Sequence, residues 1–265
     1  MWVGIMGTLS LGFAGLFACA NVALAEVRTQ TFDYKEGNTV LEGFIAWDDA
    51  KTGKQPGIVV FPQWTGPSDH ERGAAADLAK LGYVAMVADV YGKGIHPAAP
   101  KESGVEMAKY LNDRPLLRAR VKAAYDYLLR DTHVDPARMA AIGYCFGGAA
   151  VLELGRQGAD VKALVTFHGD LSNPTPADAK NIKGHVLVLH GADDPVVPPK
   201  EVDAFKAEMK EAGTDLEFVA YSGTVHSFTQ VSAGNDNSKG AAYNPVSAKR
   251  SWIAMRDFLE ETVGH

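Results

Sequence analysis

A thiol, a carboxylate and an imidazole stand along this chain in an order suited to nucleophilic attack on a carbonyl. The thiol is Cys145, in Gly143-Tyr144-Cys145-Phe146-Gly147-Gly148. A β-type run, Arg138-Met139-Ala140-Ala141-Ile142, leads in, and a helix-type run, Ala149 to Leu154, leads out. A reactive side chain on a sharp strand-to-helix turn, flanked by glycines two residues away on each side, reads as a nucleophile elbow. A thiol attacks as its thiolate, which a helix N-terminus favours and a neighbouring imidazole creates by accepting the proton. The expected base is His226 in Gly223-Thr224-Val225-His226-Ser227-Phe228. Such a histidine needs a carboxylate to fix its tautomer. Asp194, in Ala192-Asp193-Asp194-Pro195-Val196-Val197-Pro198, is the first choice, with Asp193 and Asp170 as competitors. His168, His185 and His190 flank strand-like runs and read as structural.

Acyl transfer also needs donors for the oxyanion. The amide of Phe146, directly after the nucleophile, is one candidate, and the loop Pro62-Gln63-Trp64-Thr65-Gly66 offers Trp64 or Gln63 as the second. No run of histidines, cysteines and acids has metal-ligand spacing, so no metal is expected. No Gly-x-Gly-x-x-Gly follows the first buried strand, which argues against a dinucleotide cofactor.

The elements that must hold these residues alternate along the chain. Val27–Tyr34 and Thr39–Trp47 read as a hairpin turning at Glu36-Gly37-Asn38. Gly57–Phe61, Tyr83–Ala88, Met139–Tyr144, Val161–Phe167, His185–His190 and Leu216–Tyr221 are short apolar runs, typical of strands covered on both faces. Helices are expected from Ser68 or Asp69 to Leu81, over Ser103–Leu111, Arg114–Leu129 and Pro199–Ala212, and over Pro245–Val263. Tyr91–Pro100 and Gly223–Asn244 read as loops. Strands alternating with helices mean a mainly parallel sheet with helices on both faces, an α/β class in which ligands bind beyond the carboxyl ends of the strands. Nucleophile, acid and histidine occur in the order of the α/β-hydrolases, and the residues concerned all follow strand ends.

The chain has 265 residues, 46% hydrophobic and 22% charged, with a net charge of −6 and no long basic run, so neither nucleic acid nor an anionic membrane is an expected partner. Residues 1–25 are uncharged, carry an apolar stretch from Ile5 to Phe17, and end in Ala23-Leu24-Ala25 before Glu26. This reads as a cleaved secretory signal, leaving residues 26–265 as one periplasmic or secreted domain. The segment lacks Lys and Arg, and the competing readings are a retained membrane anchor or a lipoprotein signal ending at Cys19. Cleavage would remove Cys19 and leave Cys145 as an unpaired thiol in an exported protein.

The elbow, Asp194-x-x-Val197-Pro198, His226-Ser227-Phe228, Ala88-Asp89-Val90-Tyr91 and the closing run from Ala242-Tyr243-Asn244 to Asp257-Phe258-Leu259 together resemble the dienelactone hydrolase family from about Glu26 onward. The resemblance implies an α/β-hydrolase fold, a Cys145–His226–Asp194 triad, and cofactor-free hydrolysis of a small ester or enol-lactone. It also implies a substrate pocket at Tyr91, Lys93, Tyr144 and Gln230. The chain departs from the family pattern at three positions. Gln63 stands where the family carries a Glu that contacts the resting cysteine, and Lys93 and Gln230 stand where it carries two arginines for a substrate carboxylate. The alternatives are a thioesterase or peptidase with the same triad, or a non-catalytic binding protein on this scaffold.

Overall fold

The computed structural model describes residues 1–2 and 26–264. The expected leader and Cys19 lie, apart from Met1 and Trp2, outside the described residues. Among the described residues, no helix is long and apolar enough to cross a membrane.

One eight-stranded sheet organises the chain. The strands are β1 (Val27–Glu36), β2 (Thr39–Asp48), β3 (Gln55–Phe61), β4 (Val84–Val87), β5 (Val134–Tyr144), β6 (Ala163–Phe167), β7 (His185–Gly191) and β8 (Leu216–Tyr221). Their order is β1-β2-β4-β3-β5-β6-β7-β8; β2 runs antiparallel to both its neighbours, β1 and β4, and all other neighbouring pairs are parallel. The helices are α1 (Asp69–Lys80), α2 (Pro100–Asn112), α3 (Arg114–Leu128), α4 (Phe146–Arg156), α5 (Pro199–Ala212) and α6 (Pro245–Thr262). Two features go beyond the sequence expectation. Helix α2 begins at Pro100, where proline's missing N–H costs nothing. Strand β5 begins at Val134, ahead of a register irregularity opposite Pro56/Gly57.

Strand residues alternate between two cores. Val59, Phe61, Val84 and Met86 pack toward α2, α3, α4 and α5, while Ile58, Val60, Ala85 and Val87 pack toward α1 and α6. Burying both faces explains why these strands read as continuous apolar runs. The chain winds from β3 outward to β4, then reverses to β5 on the other side of β3. Such a reversal opens a crevice beyond the strand ends, because the loops leaving β3 and β5 turn to opposite faces. The register keeps those ends level: Phe61 pairs with Gly143, Tyr144 with Phe167, Phe167 with Leu189, and Gly191 with Tyr221. The loops carrying Gln63, Cys145, Asp170, Asp194 and His226 therefore leave one edge of the sheet.

Beneath that edge lies a charged cluster inside the apolar layer. Arg156 is fully buried and forks onto Glu208 from Nε (3.0 Å) and Nη2 (3.1 Å), while its Nη1 reaches Glu153 (3.3 Å). Arg118 Nε completes the pairing of Glu153 (2.6 Å). These contacts bind α3, α4 and α5 to one another.

Candidate active site

Cys145 is the residue before α4, with φ 53° and ψ −114°. A left-handed φ is unfavourable for a side-chain-bearing residue, and strain of this kind persists only where the surroundings enforce it. Here they do so by close backbone packing. A Cβ on Gly143 would fall 2.0 Å from the Gly147 carbonyl oxygen, and one on Gly147 would fall 2.3 Å from that of Phe61. The glycines let α4 start against the ends of β3 and β5. The Cys145 amide donates to Phe167 O (3.1 Å), and the Cys145 carbonyl accepts from Gly148 (2.9 Å) and Asp170 (3.1 Å).

His226 follows β8 on a loop held by two backbone bonds, His226 N to Gly240 O (3.2 Å) and Ala242 N to His226 O (3.0 Å). Its Nδ1 pairs with Asp194 Oδ2 at 2.8 Å. The other oxygen, Asp194 Oδ1, accepts from the amides of Val196 (2.8 Å) and Val197 (3.2 Å), so the carboxylate is oriented from both sides. Both residues are buried. His226 Nε2 has no nitrogen or oxygen partner and lies on the side of the Cys145 thiol. Burial pushes the His226 pKa down, but the hydrogen bonds and charges of Asp194 and Cys145 outweigh it and raise the imidazole to about 10. Asp193 is exposed, Asp170 Oδ1 accepts from Ser172 N (2.8 Å), and the imidazole Nδ1 is taken by Asp194, so neither competitor pairs with it. His168, fully buried with φ 41°, meets the His226 ring edge-on at 5.1 Å and bonds Thr229 Oγ1 through Nε2 (2.9 Å). Burial and the nearby His226 charge hold it well below the usual histidine range. It packs beneath the candidate base, in keeping with a structural role.

The loop after β3 turns tightly, Gly66 N donating to Gln63 O (3.0 Å). Tyr91 Oη donates to the Trp64 carbonyl (2.9 Å) and its ring lies 5.7 Å from that of Phe146. Tyr91 thus braces the Trp64 loop. Phe146 opens α4, where an amide has no partner within the helix. A cavity of about 330 Å³ lies between these groups, with Cys145, His226, Trp64, Phe146, Met107 and Val197 on its wall. Gln63 and Gln230 line an adjoining groove that shares Trp64 and Ser227 with the cavity.

Three expected pocket residues stand elsewhere: Tyr91, buried against the Trp64 loop that it braces, Lys93 and Tyr144. Lys93 reaches Asp33 (2.7 and 2.8 Å) on the outer hairpin. The cause is Asp89, whose Oδ1 accepts from the amides of Tyr91 (2.8 Å) and Gly92 (3.0 Å) and turns the chain so that Lys93 N bonds Val40 O (2.9 Å). Tyr144 ends β5 facing the α1–α6 layer, stacked on Phe167 at 4.9 Å and edge-on to His70 at 4.7 Å. It lines a separate cleft with His70, Thr229 and Trp252, because strand alternation places it on the face opposite Phe146. Asp170 and Glu201 line the cavity instead. Asp170 follows a strand end, which was a usable signal; Glu201 in the first turn of α5 reads from sequence as an ordinary helix-end charge. Among the described residues, no group of three or more His, Cys, Asp or Glu is placed to hold a metal ion.

A level strand edge, a strained residue between strand and helix, and a carboxylate–imidazole pair facing it define an α/β-hydrolase. Within that class, residues 41–263 match the dienelactone hydrolase family, and the chain belongs to it. Among its relatives is a Bradyrhizobium sp. protein named "Probable 2-oxo-3-(5-oxofuran-2-ylidene)propanoate lactonase", 28% identical over 76% of this chain and 82% of its own. Two solved structures are more similar. One, named m3DLH, is 41% identical, covering 89% of this chain and 99% of its own, with a TM-score of 0.86. The other is a dienelactone hydrolase-like promiscuous phosphotriesterase, P91, from metagenomic libraries, 40% identical over 90% of this chain and 99% of its own, with a TM-score of 0.84. The protein is a hydrolase of this family.

Proposed function

We propose that this hydrolase cleaves carboxylic esters or lactones, without a cofactor, through Cys145, His226 and Asp194 and a thioester acyl-enzyme. The observation that carries this reading is the 2.8 Å Asp194–His226 pair with the opposite imidazole nitrogen turned to the thiol in one largely apolar cavity. The thiol proton passes to His226 Nε2, which its raised pKa favours, and Sγ of the resulting thiolate attacks the carbonyl carbon. The oxyanion is held by the amides of Phe146 and of Trp64 or Gln63. Collapse expels the alkoxide, which leaves with the proton from His226. Water, deprotonated by His226, then attacks the thioester and releases the acid, and the thiolate recovers its proton. Loss of one oxyanion donor in such sites typically costs about 100- to 1000-fold in rate.

The test is a panel of nitrophenyl esters, thioesters and enol-lactones assayed with the wild type, Cys145→Ala and His226→Ala. A wild type no faster than both variants on every substrate refutes the reading. The panel includes a nitrophenyl phosphotriester, because the P91 relative at 40% identity is a promiscuous phosphotriesterase. The same thiolate attack at phosphorus would expel nitrophenolate. We further propose that the mature chain starts at Glu26 in the periplasm or outside the cell. Amino-terminal sequencing of protein exported from a Gram-negative host tests this, and an intact leader on membrane-bound protein would overturn it.

A further inference from the structure

The cavity beside Cys145 is mostly apolar, with Trp64, Met107, Val196 and Val197 on its wall, yet two carboxylates open into it, Asp170 and Glu201. Both are fixed in place. Asp170 N donates to the carbonyl of Cys145 (3.1 Å), which holds this residue against the nucleophile's own backbone. Its Oδ1 accepts from Ser172 N (2.8 Å). The amide between them, Leu171 N, donates to Glu201 Oε1 (3.0 Å), tying the first turn of α5 to the same loop. Burial and the neighbouring charge of Asp170 together hold the Glu201 carboxyl above its ordinary pKa, the mark of two like charges sharing one desolvated space.

One buried cation behind the wall, Arg114, partly offsets this negative field, drawing the Glu201 pKa down and being itself stabilised by the Asp170 charge. Among the described residues that line the cavity, none is Lys or Arg. Lys93 is engaged on Asp33, away from the cavity. Arg114, behind the wall, gives its Nη2 to Ser172 Oγ (2.8 Å) and stands 3.8 Å from Glu153. His226 is balanced by Asp194. A substrate carboxylate entering here would lose water and meet two fixed like charges, an arrangement that discriminates by repulsion as well as by fit.

We infer that Asp170 and Glu201 determine the substrate class of this site: they exclude substrates that carry a carboxylate near the scissile carbonyl and favour uncharged or cationic esters and lactones. The inference rests on the hydrolase reading above. An uncharged acyl chain would lie along the apolar wall, and a positive group would meet both acids.

The experiment uses nitrophenyl esters of three acyl groups of matched length: pentanoate, hemisuccinate and 4-(trimethylammonio)butanoate. Each kcat/KM is divided by the ester's own hydroxide rate. For the wild type, the anionic ester should fall about tenfold or more below the neutral one, with the cationic ester at least equal to it. Raising the salt should narrow the gap, since screening weakens partly exposed charges. Asp170→Asn/Glu201→Gln keeps the hydrogen-bonding shapes and should bring the anionic and neutral esters to within about threefold. Glu201→Gln alone, checked by melting curve, serves if the double variant does not fold. Equal wild-type rates on the anionic and neutral esters, or a gap that survives in a folded variant, overturns the inference. If no ester is cleaved faster than by Cys145→Ala, the hydrolase reading itself fails, which is a separate result.

Discussion

Replacing Gly147 by alanine adds one methyl group at the tightest point of the elbow. That Cβ would sit 2.3 Å from the Phe61 carbonyl oxygen and 2.8 Å from that of Pro62. Both obstacles are backbone, so neither can rotate aside, and ordinary contact requires roughly 1 Å of separation between the start of α4 and the end of β3. Phe61 and Pro62 lead directly into Gln63 and Trp64, while Gly147 follows Phe146. The added methyl therefore drives apart the two amides that would hold the oxyanion. A misplacement near 1 Å costs about 100-fold in rate, and overpacking costs about 1–3 kcal/mol. For a chain of this size that is a melting shift of about 3–10 °C. The control is the same change at Gly104 in α2, where a Cβ would meet nothing within 4 Å. Gly104→Ala should stabilise by about 0.5–1 kcal/mol and leave turnover unchanged. The assays are nitrophenyl ester kinetics and thermal melting on all three proteins. A Gly147→Ala enzyme with wild-type melting and with kcat/KM within a few-fold of wild type would refute the packing argument for the elbow.

Asp194→Asn should lower kcat by about 10³- to 10⁴-fold and move the alkaline limb of the pH–rate profile to lower pH, since His226 loses the partner that helps raise it to about 10. The folded state holds this proton more tightly than the unfolded chain. The linked stability is therefore complete below about pH 6.5 and lost as pH rises through about 10, and the variant should show a flatter alkaline decline in urea titrations. His70 has the opposite sign: burial lowers it from 6.5 to about 4, so its contribution is complete above pH 6.5 and lost as pH falls toward 4. His70→Gln should remove up to about 2–3 kcal/mol of that acid-side decline; an unchanged slope between pH 6.5 and 4 would count against the burial argument. Arg156→Met leaves Glu208 with Asn173 and no cation and leaves Glu153 to Arg118, and should cost about 3–5 kcal/mol by urea denaturation; a loss under 1 kcal/mol would contradict the pairing described.

The parts of the site legible in the sequence are those written locally. Glycines flanking Cys145, the apolar run before it and the helix-forming run after it lie within a dozen residues, and the sheet obliges the turn between them to be sharp. Asp194 and His226 were legible because each follows a strand, and parallel strands deliver their carboxyl ends to one edge. The lining of the cavity was not legible, since it depends on which face a loop takes. Lys93 carries a suitable charge, but Asp89 turns it onto the outer hairpin. Tyr144 neighbours the nucleophile in sequence and lies on the other face of the sheet. Glu201 enters the cavity only because α5 docks against the loop after β6, a contact between residues 30 positions apart. The six-residue 3-10 turn Pro176–Asn181 was likewise hidden among loop-like residues; its Asp178 carboxylate is paired by Arg118 (2.7 Å).

The buried guanidinium of Arg156 reaches past the helices it joins. It forks onto Glu208 of α5 and also donates to the carbonyl of Ser172 (3.4 Å), two residues beyond Asp170. One inaccessible side chain thus sets the spacing between the two elements that carry the cavity's acids. Changes around Arg156 that preserve folding should surface as altered preference among substrates of different charge, at a position that no substrate touches. For anyone evolving this enzyme, selectivity has a handle buried beneath the pocket as well as on its walls.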